Sequence, residues 1–364
     1  MRRKCILQWG TLDIYPNMYI VLVGPSGKCR KGTAMNQGMF FLREMGITLA
    51  AESITREALI RELKEASDMQ VDPITNNMLN HASLTIYSQE LTVFLGYNNQ
   101  ALMSDLTDWF DCRDTWTYRT KHMGTDVISG VWVNLIGATT PDLIKTTLPR
   151  DAIGGGLTSR MVFVFEPKKG RTVVSPFLSE EAMNIQKQLV EDLQQICVMS
   201  GNMVVTDGFI DRWVPWYTAC DIGPPPFNDP NFAGYFERRP THLLKLCMIM
   251  SASRSNDMSI TEHDFDRALE LLEATEKKMP YAFSGYGKNP SSDIMETITR
   301  FIAKRGVVAY DELLRLYRND VDKRGLDGIL DTLMGFNAIK IEYAGNRQKL
   351  IHFILEGGEY ETFD

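Results

Sequence analysis

Between Tyr19 and Met45 the chain runs from an apolar stretch, Tyr19-Ile20-Val21-Leu22-Val23, through Gly24-Pro25-Ser26-Gly27 into a basic cluster of Lys28, Arg30 and Lys31. Gly32-Thr33 and a helical pattern to Met45 follow. A buried strand that breaks at glycines and restarts as a helix implies a sheet with helices packed on it. It is also the setting in which turn amides and the positive end of a helix stabilise phosphate charge. The usual phosphate loop is G-x-x-x-x-G-K-[ST]. Here Arg30 stands where its lysine belongs, and Cys29 where its second glycine belongs. Three readings are open: a degenerate nucleotide site, a loop one residue longer, or a basic turn with no ligand. In the longer loop Lys31 is the lysine that reaches the β/γ-phosphates, and Thr33 or Ser26 offers a hydroxyl near Mg²⁺.

Further along, Ile47–Ala51, Leu84–Tyr87, Val131–Ile136 and Met161–Phe165 read as strands, with helices between them. Thr55 caps a helix whose Leu59, Ile60 and Leu63 share one face. Strands alternating with helices point to an α/β fold with a parallel sheet over residues 1–176. Residues 177–285 read as helices, 286–292 as a linker, and 293–364 as a last domain of three helices and a hairpin around Ala344–Arg347. With 364 residues, 44% of them hydrophobic, the chain can bury more than one core. Its net charge of −7 excludes a generally polybasic protein but leaves room for a local basic groove. The six cysteines are scattered without a CxxC pair, which points to free thiols in a reducing compartment. No apolar run reaches the ~20 residues of a membrane span. The opening Met-Arg-Arg-Lys looks like the start of a fragment cut from a longer chain.

Hydrolysis at such a loop needs a carboxylate at the end of a neighbouring strand, to orient or deprotonate water. Glu90 follows the strand "LTIYS", with Gln89 where an aspartate would help to hold Mg²⁺. Asn134 lies inside the apolar run "VWVNLIG"; an unpaired buried amide costs roughly 1–3 kcal/mol, so it needs a partner. Water near a γ-phosphate is one candidate partner and a neighbouring loop is another. Arg160 opens the strand "MVFVF" after a glycine-rich turn, exposed at an edge from which it can reach a neighbouring subunit's nucleotide; Arg150 is a second candidate.

In this order the segments resemble the AAA+ ATPase module, and within it the minichromosome maintenance (MCM) type of replicative helicase. The resemblance covers about residues 20–355. Cys29 resembles the small residue that replaces the last loop glycine in that family, and "TSRMVFVF" resembles its arginine-finger strand. "ERRPTHLLKLCMIMSASRSNDMSITEHDFDRALELLE" is similar to its helical lid, with Arg239 (or Arg238) as the sensor-2 arginine. In wording, "GPSG" followed by "RKGT" is closer to phage and mobile-element proteins related to replicative helicases, often joined to a primase-polymerase.

The resemblance implies an AAA+ P-loop ATPase core, a helical lid and a C-terminal winged helix. It implies ATP and Mg²⁺, with nucleotide contacts from Gly24, Pro25, Ser26, Gly27, Arg30, Lys31, Gly32, Thr33 and Arg239. Thr33 and Gln89 would organise the metal; Glu90, Asn134 and Arg160 would serve catalysis. A hairpin carrying Arg119, Lys121 and His122 would contact single-stranded DNA in the central channel of a homo-oligomeric ring, a hexamer. Lys323, Arg324 and Arg347 are the winged-helix candidates for DNA, with a docking role on protein as the alternative. The function implied is an ATP-driven DNA helicase or translocase of phage or mobile-element replication, partnered by a primase-polymerase, in the bacterial host cytoplasm. Two alternatives are a helicase loader or origin-remodelling initiator, and a non-hydrolysing AAA+ scaffold that tethers a primase.

Overall fold

The computed structural model describes residues 1–71, 78–120, 124–148, 153–174, 177–283, 291–318, 320–343 and 349–354. The chain divides into two compact units, Met1–Ser284 and Gly285–Asp364.

The first unit opens with β1 (Cys5–Trp9), β2 (Leu12–Ile14) and β3 (Tyr19–Val23), then α1 (Lys31–Glu44) and α2 (Arg56–Glu65). Next come β4 (Ser67–Val71), β5 (Met78–Ser88), α3 (Leu91–Leu95), α4 (Gln100–Phe110), β6 (Thr115–Thr120), β7 (Gly124–Ser129) and β8 (Val131–Thr139). It continues with α5 (Pro141–Thr147), β9 (Met161–Phe165), α6 (Glu180–Val198), β10 (Gly201–Val205), α7 (Asp207–Ile222), α8 (Ala233–Arg254), β11 (Ser259–Ile260) and α9 (Glu262–Glu276).

The central sheet has the order β4-β5-β8-β3-β9. Strand β3 pairs in parallel with both β8 and β9, and β8 in parallel with β5. Interior parallel strands are covered on both faces, which is why their sequences are near-continuous apolar runs. Tyr19, Val21, Val23, Leu84, Ile86, Val133 and Leu135 are all buried. The expected all-parallel sheet is corrected at one edge, since β4 runs antiparallel to β5. The strand expected at Ile47–Ala51 is reduced to one bridge, Leu49 to Thr85.

A second sheet, β11-β10-β1-β2, corrects the reading of residues 179–283 as helices alone. There β10 pairs in parallel with β1 (Cys5 with Gly201), so the opening of the chain is structural. The long helix α8 runs through the unit's interior, with Leu243, Leu244, Cys247 and Met248 buried. Four of its polar side chains, Arg239, His242, Lys245 and Ser251, are buried with them. The Lys245 ammonium donates to the Tyr15 carbonyl (2.8 Å) and Asn17 Oδ1 (2.5 Å), and burial lowers its pKa to about 8. His242 Nε2 lies 3.1 Å from the Ser159 carbonyl, and burial lowers its pKa to about 4. These bonds join the helical segment to the stretches that lead into β3 and β9.

The second unit contains α10 (Ser291–Arg305), β12 (Val307–Ala309), α11 (Tyr310–Leu316), α12 (Lys323–Gly335), β13 (Ile339–Tyr343) and β14 (Lys349–Phe353). Its antiparallel strands lie in the order β12-β14-β13. Ile298, Ile302, Leu313, Leu326, Leu330 and Ile351 form its core. Among the described residues no helix is long and apolar enough to cross a membrane.

Candidate functional site

At the carboxyl end of β3 the chain leaves the sheet through Gly24, whose N–H donates to the Thr139 carbonyl at the matching end of β8 (3.3 Å). A Cβ on Gly24 would collide with the Glu166 carbonyl oxygen, so only glycine fits. The turn is closed by Cys29 Sγ against the Pro25 carbonyl (3.3 Å) and by the Lys169 N–H donating to the Lys28 carbonyl (3.2 Å). Arg30 caps α1 with φ of 53°, in the left-handed region that costs a non-glycine residue roughly 1–2 kcal/mol. The glycine-like position is therefore Arg30, immediately before Lys31, and not Cys29.

Helix α1 begins at Lys31 itself, two residues before the expected Thr33. Among the described residues no side chain caps it, which leaves its first amides available to an anion. The Lys31 ammonium folds back over the loop and donates to the Gly24 carbonyl at 2.6 Å. Lys31 thus lies over the turn, while Pro25 is half-buried and Ser26, Gly27, Lys28 and Arg30 are exposed around it.

Strand β5 brings Gln89 and Glu90 to this same end, because Ser88 is level with Gly137 and Gly137 with Val21. Glu90 is exposed and stands as the N-cap residue of α3. Gln89 Nε2 donates to Asn36 Oδ1 on α1 (2.9 Å), which also accepts from the Tyr87 hydroxyl (3.3 Å). Gly32 faces Gln89: a Cβ built there would lie 3.5 Å from Gln89 Oε1. Thr33, one residue on and so ~100° round the helix, is exposed. Of the expected Mg²⁺ pair, Thr33 and Gln89, it is thus Gln89 with Gly32, rather than with Thr33, that the fold sets face to face. Among the described residues no cluster of His, Cys, Asp and Glu could hold a metal ion.

Three expected site residues lie elsewhere. Asn134 Oδ1 accepts from the Met18 N–H (2.7 Å), at the amino end of β3. Register pairs Leu135 with Tyr19 and Thr139 with Val23, so at ~3.3 Å per residue Asn134 is roughly 16 Å from the loop level. Its partner is the neighbouring loop, which corrects its expected contact with γ-phosphate water. Thr139, buried at the loop end of the same strand, is the polar side chain that β8 does bring there.

Arg160 also sits at the amino end, before Met161, which pairs with Tyr19. The expected exposed finger is in fact buried: its guanidinium donates to Asp111 Oδ2 (2.7 Å) and to the Gly156 carbonyl (3.0 Å), and its Nε has no hydrogen-bond partner among the described residues. Arg238 shares Asp111 (3.5 Å), and burial and then Arg160 lower its pKa. Arg239 is turned inward, with Nε and Nη2 donating to the Glu276 carboxylate (2.7 and 2.8 Å). Burial opposes its charge, and the Glu276 bonds outweigh burial and raise its pKa. It offers no guanidinium to a ligand in this geometry, whereas Arg238 is partly exposed.

Of the nucleic-acid candidates, Arg119 is exposed on the β6–β7 hairpin. That hairpin is anchored at its base: Trp116 packs on Trp109 (5.4 Å between centroids), and Arg56 lies over the Tyr118 ring (4.9 Å). Lys323 and Arg324 are exposed in the first turn of α12. Lys121, His122, Arg150 and Arg347 lie outside the described residues, as does most of the expected linker.

No protein-family model matches this chain, and no curated protein matches it.

Proposed function

We propose that the chain is a nucleotide-driven DNA helicase or translocase of the AAA+ type, resembling the MCM helicases, that works as a homo-oligomeric ring on single-stranded DNA. The observation that carries this reading is Lys31. It begins α1 directly after a glycine-rich turn, and its ammonium bends back over that turn. ATP is the proposed ligand: loop amides and Lys31 hold its phosphates, and Glu90 polarises the attacking water from the end of β5. The central order β5-β8-β3-β9 supports it, because acid, Thr139 and loop stand at the carboxyl ends of neighbouring strands. On this reading α6–α9 act as the lid, and the second unit, with its order helix, strand, helix, helix, two strands, is a winged helix. The proposed setting is phage or mobile-element replication in a bacterial cytoplasm, with a primase-polymerase as a further partner.

Gly32 and Gln89 favour a second reading, a non-hydrolysing nucleotide-binding scaffold that tethers a primase. ATP hydrolysis by the purified chain, measured with and without single-stranded DNA, separates the two. Stimulation by DNA supports the motor. No hydrolysis under either condition, with nucleotide still bound, supports the scaffold.

A further inference from the structure

We propose that this site holds nucleotide phosphates without any protein ligand to a divalent cation, so that its nucleotide affinity does not depend on Mg²⁺. The inference rests on the nucleotide reading of the Lys31 loop. A phosphate loop that shares a metal with its nucleotide supplies a hydroxyl from the residue after the lysine and a carboxylate from a nearby strand end. Here those positions are Gly32 and Gln89. The fold brings them together, since a Cβ on Gly32 would meet Gln89 Oε1 at 3.5 Å. One position has no side chain and the other has a neutral amide.

The amide nitrogen is committed to α1, which leaves only a neutral oxygen on the side of Gly32. The nitrogen donates to Asn36 Oδ1, and Tyr87 donates to that same oxygen, so two bonds fix Asn36 as the acceptor of this group. Mg²⁺ is a hard cation that sheds water reluctantly and is held by carboxylates together with substrate phosphates. A neutral amide oxygen is a poor exchange for its hydration shell. The two departures also agree with each other. A hydroxyl at position 32 beside Gln89, or an aspartate at position 89 beside Gly32, would be half of a metal site; the chain has neither half. Charge neutralisation falls instead chiefly to Lys31, whose ammonium is held over the turn, with the exposed Lys28 and Arg30 adding only solvent-screened charge nearby. A cation can still arrive on the nucleotide's own phosphates inside its water shell, but it adds no bond to the protein.

Calorimetric titration of the full chain with ADP, once in excess Mg²⁺ and once in EDTA, tests this. The expected affinities agree within about threefold, or about 0.65 kcal/mol. Binding about tenfold or more tighter with Mg²⁺ would overturn the proposal. Absence of binding under both conditions would overturn the nucleotide reading of the loop itself, a separate result. The double substitution Gly32→Thr with Gln89→Asp supplies both missing ligands and is expected to introduce metal dependence, with ADP binding weakened about tenfold by EDTA. A folded double variant whose affinity ignored EDTA would show that these positions do not face a metal, and the proposal would fall.

Discussion

Replacing Lys31 by alanine tests the register of the loop. The ammonium donates to the Gly24 carbonyl at 2.6 Å, so it is already held above the turn. A bound phosphate would take over as acceptor, and a hydrogen bond between charged partners contributes about 1.5–3 kcal/mol net. Lys31→Ala should therefore weaken ADP binding about 10- to 150-fold and abolish ATP turnover. Lys28 and Arg30 are exposed and solvated. Exposed charge pairs contribute about 1 kcal/mol or less, so Lys28→Ala and Arg30→Ala should each cost about fivefold at most and leave measurable turnover. Calorimetric titration with ADP gives the affinities, and thermal unfolding confirms that each variant is folded. An equal or larger loss from Arg30→Ala, with Lys31→Ala unaffected, would refute the one-residue-longer loop and return Arg30 to the lysine's place.

Glu90→Gln should bind nucleotide like the wild type but hydrolyse it at least about a hundredfold more slowly, since an amide cannot take a proton from water; turnover at the wild-type rate would reduce Glu90 to the N-cap residue of α3. His242 should make the first unit acid-sensitive. Its imidazole stays neutral in the fold down to about pH 4, while the unfolded chain takes up the proton near 6.5. Stability is then complete above that upper value and is lost as pH falls through the interval, by up to about 3 kcal/mol; an imidazole proton signal in NMR that titrated near pH 6.5 in the folded chain would contradict this.

The loop was legible because its information is local. A strand, two glycines, a lysine and a helix start lie within fifteen residues, and each follows from backbone preference. The burial of Leu59, Ile60 and Leu63 was legible for the same reason: one helical face carries all three. Asn134 shows where such reading stops. That an amide inside an apolar strand must find a partner is a statement about desolvation, and it holds, since Asn134 accepts from Met18. Which end of the sheet it faces depends on register with β3, and no property of residues 131–139 encodes that register. The pairing of β1 with β10 brings Cys5 to Gly201, and a five-residue strand between long helical patterns leaves too short a signal to separate from them. Arg160 was read as an exposed edge charge because its partner, Asp111, lies 49 residues earlier, at the end of another helix.

These placements divide the candidate chemistry between the two ends of one sheet. Lys31, Glu90 and Thr139 stand at the carboxyl ends of β3, β5 and β8. Arg160 and Arg238 gather around Asp111 near the amino end, about five residues or roughly 16 Å away. One nucleotide on the loop cannot touch both groups in a single chain. If the arginines act on phosphate, a second copy must present it, and Arg160 must first leave Asp111. Breaking an isolated buried pair would leave an uncompensated charge and cost several kcal/mol. Asp111 is different, because its side chain is 39% exposed and Arg238 already lies 3.5 Å from its other oxygen. Water and Arg238 can compensate the carboxylate when Arg160 turns away. The Nε of Arg160, unpaired among the described residues, would gain an acceptor in the exchange. On the ring reading, the arginine is thus held by a partner that can release it, at a cost that a neighbour's phosphate can offset.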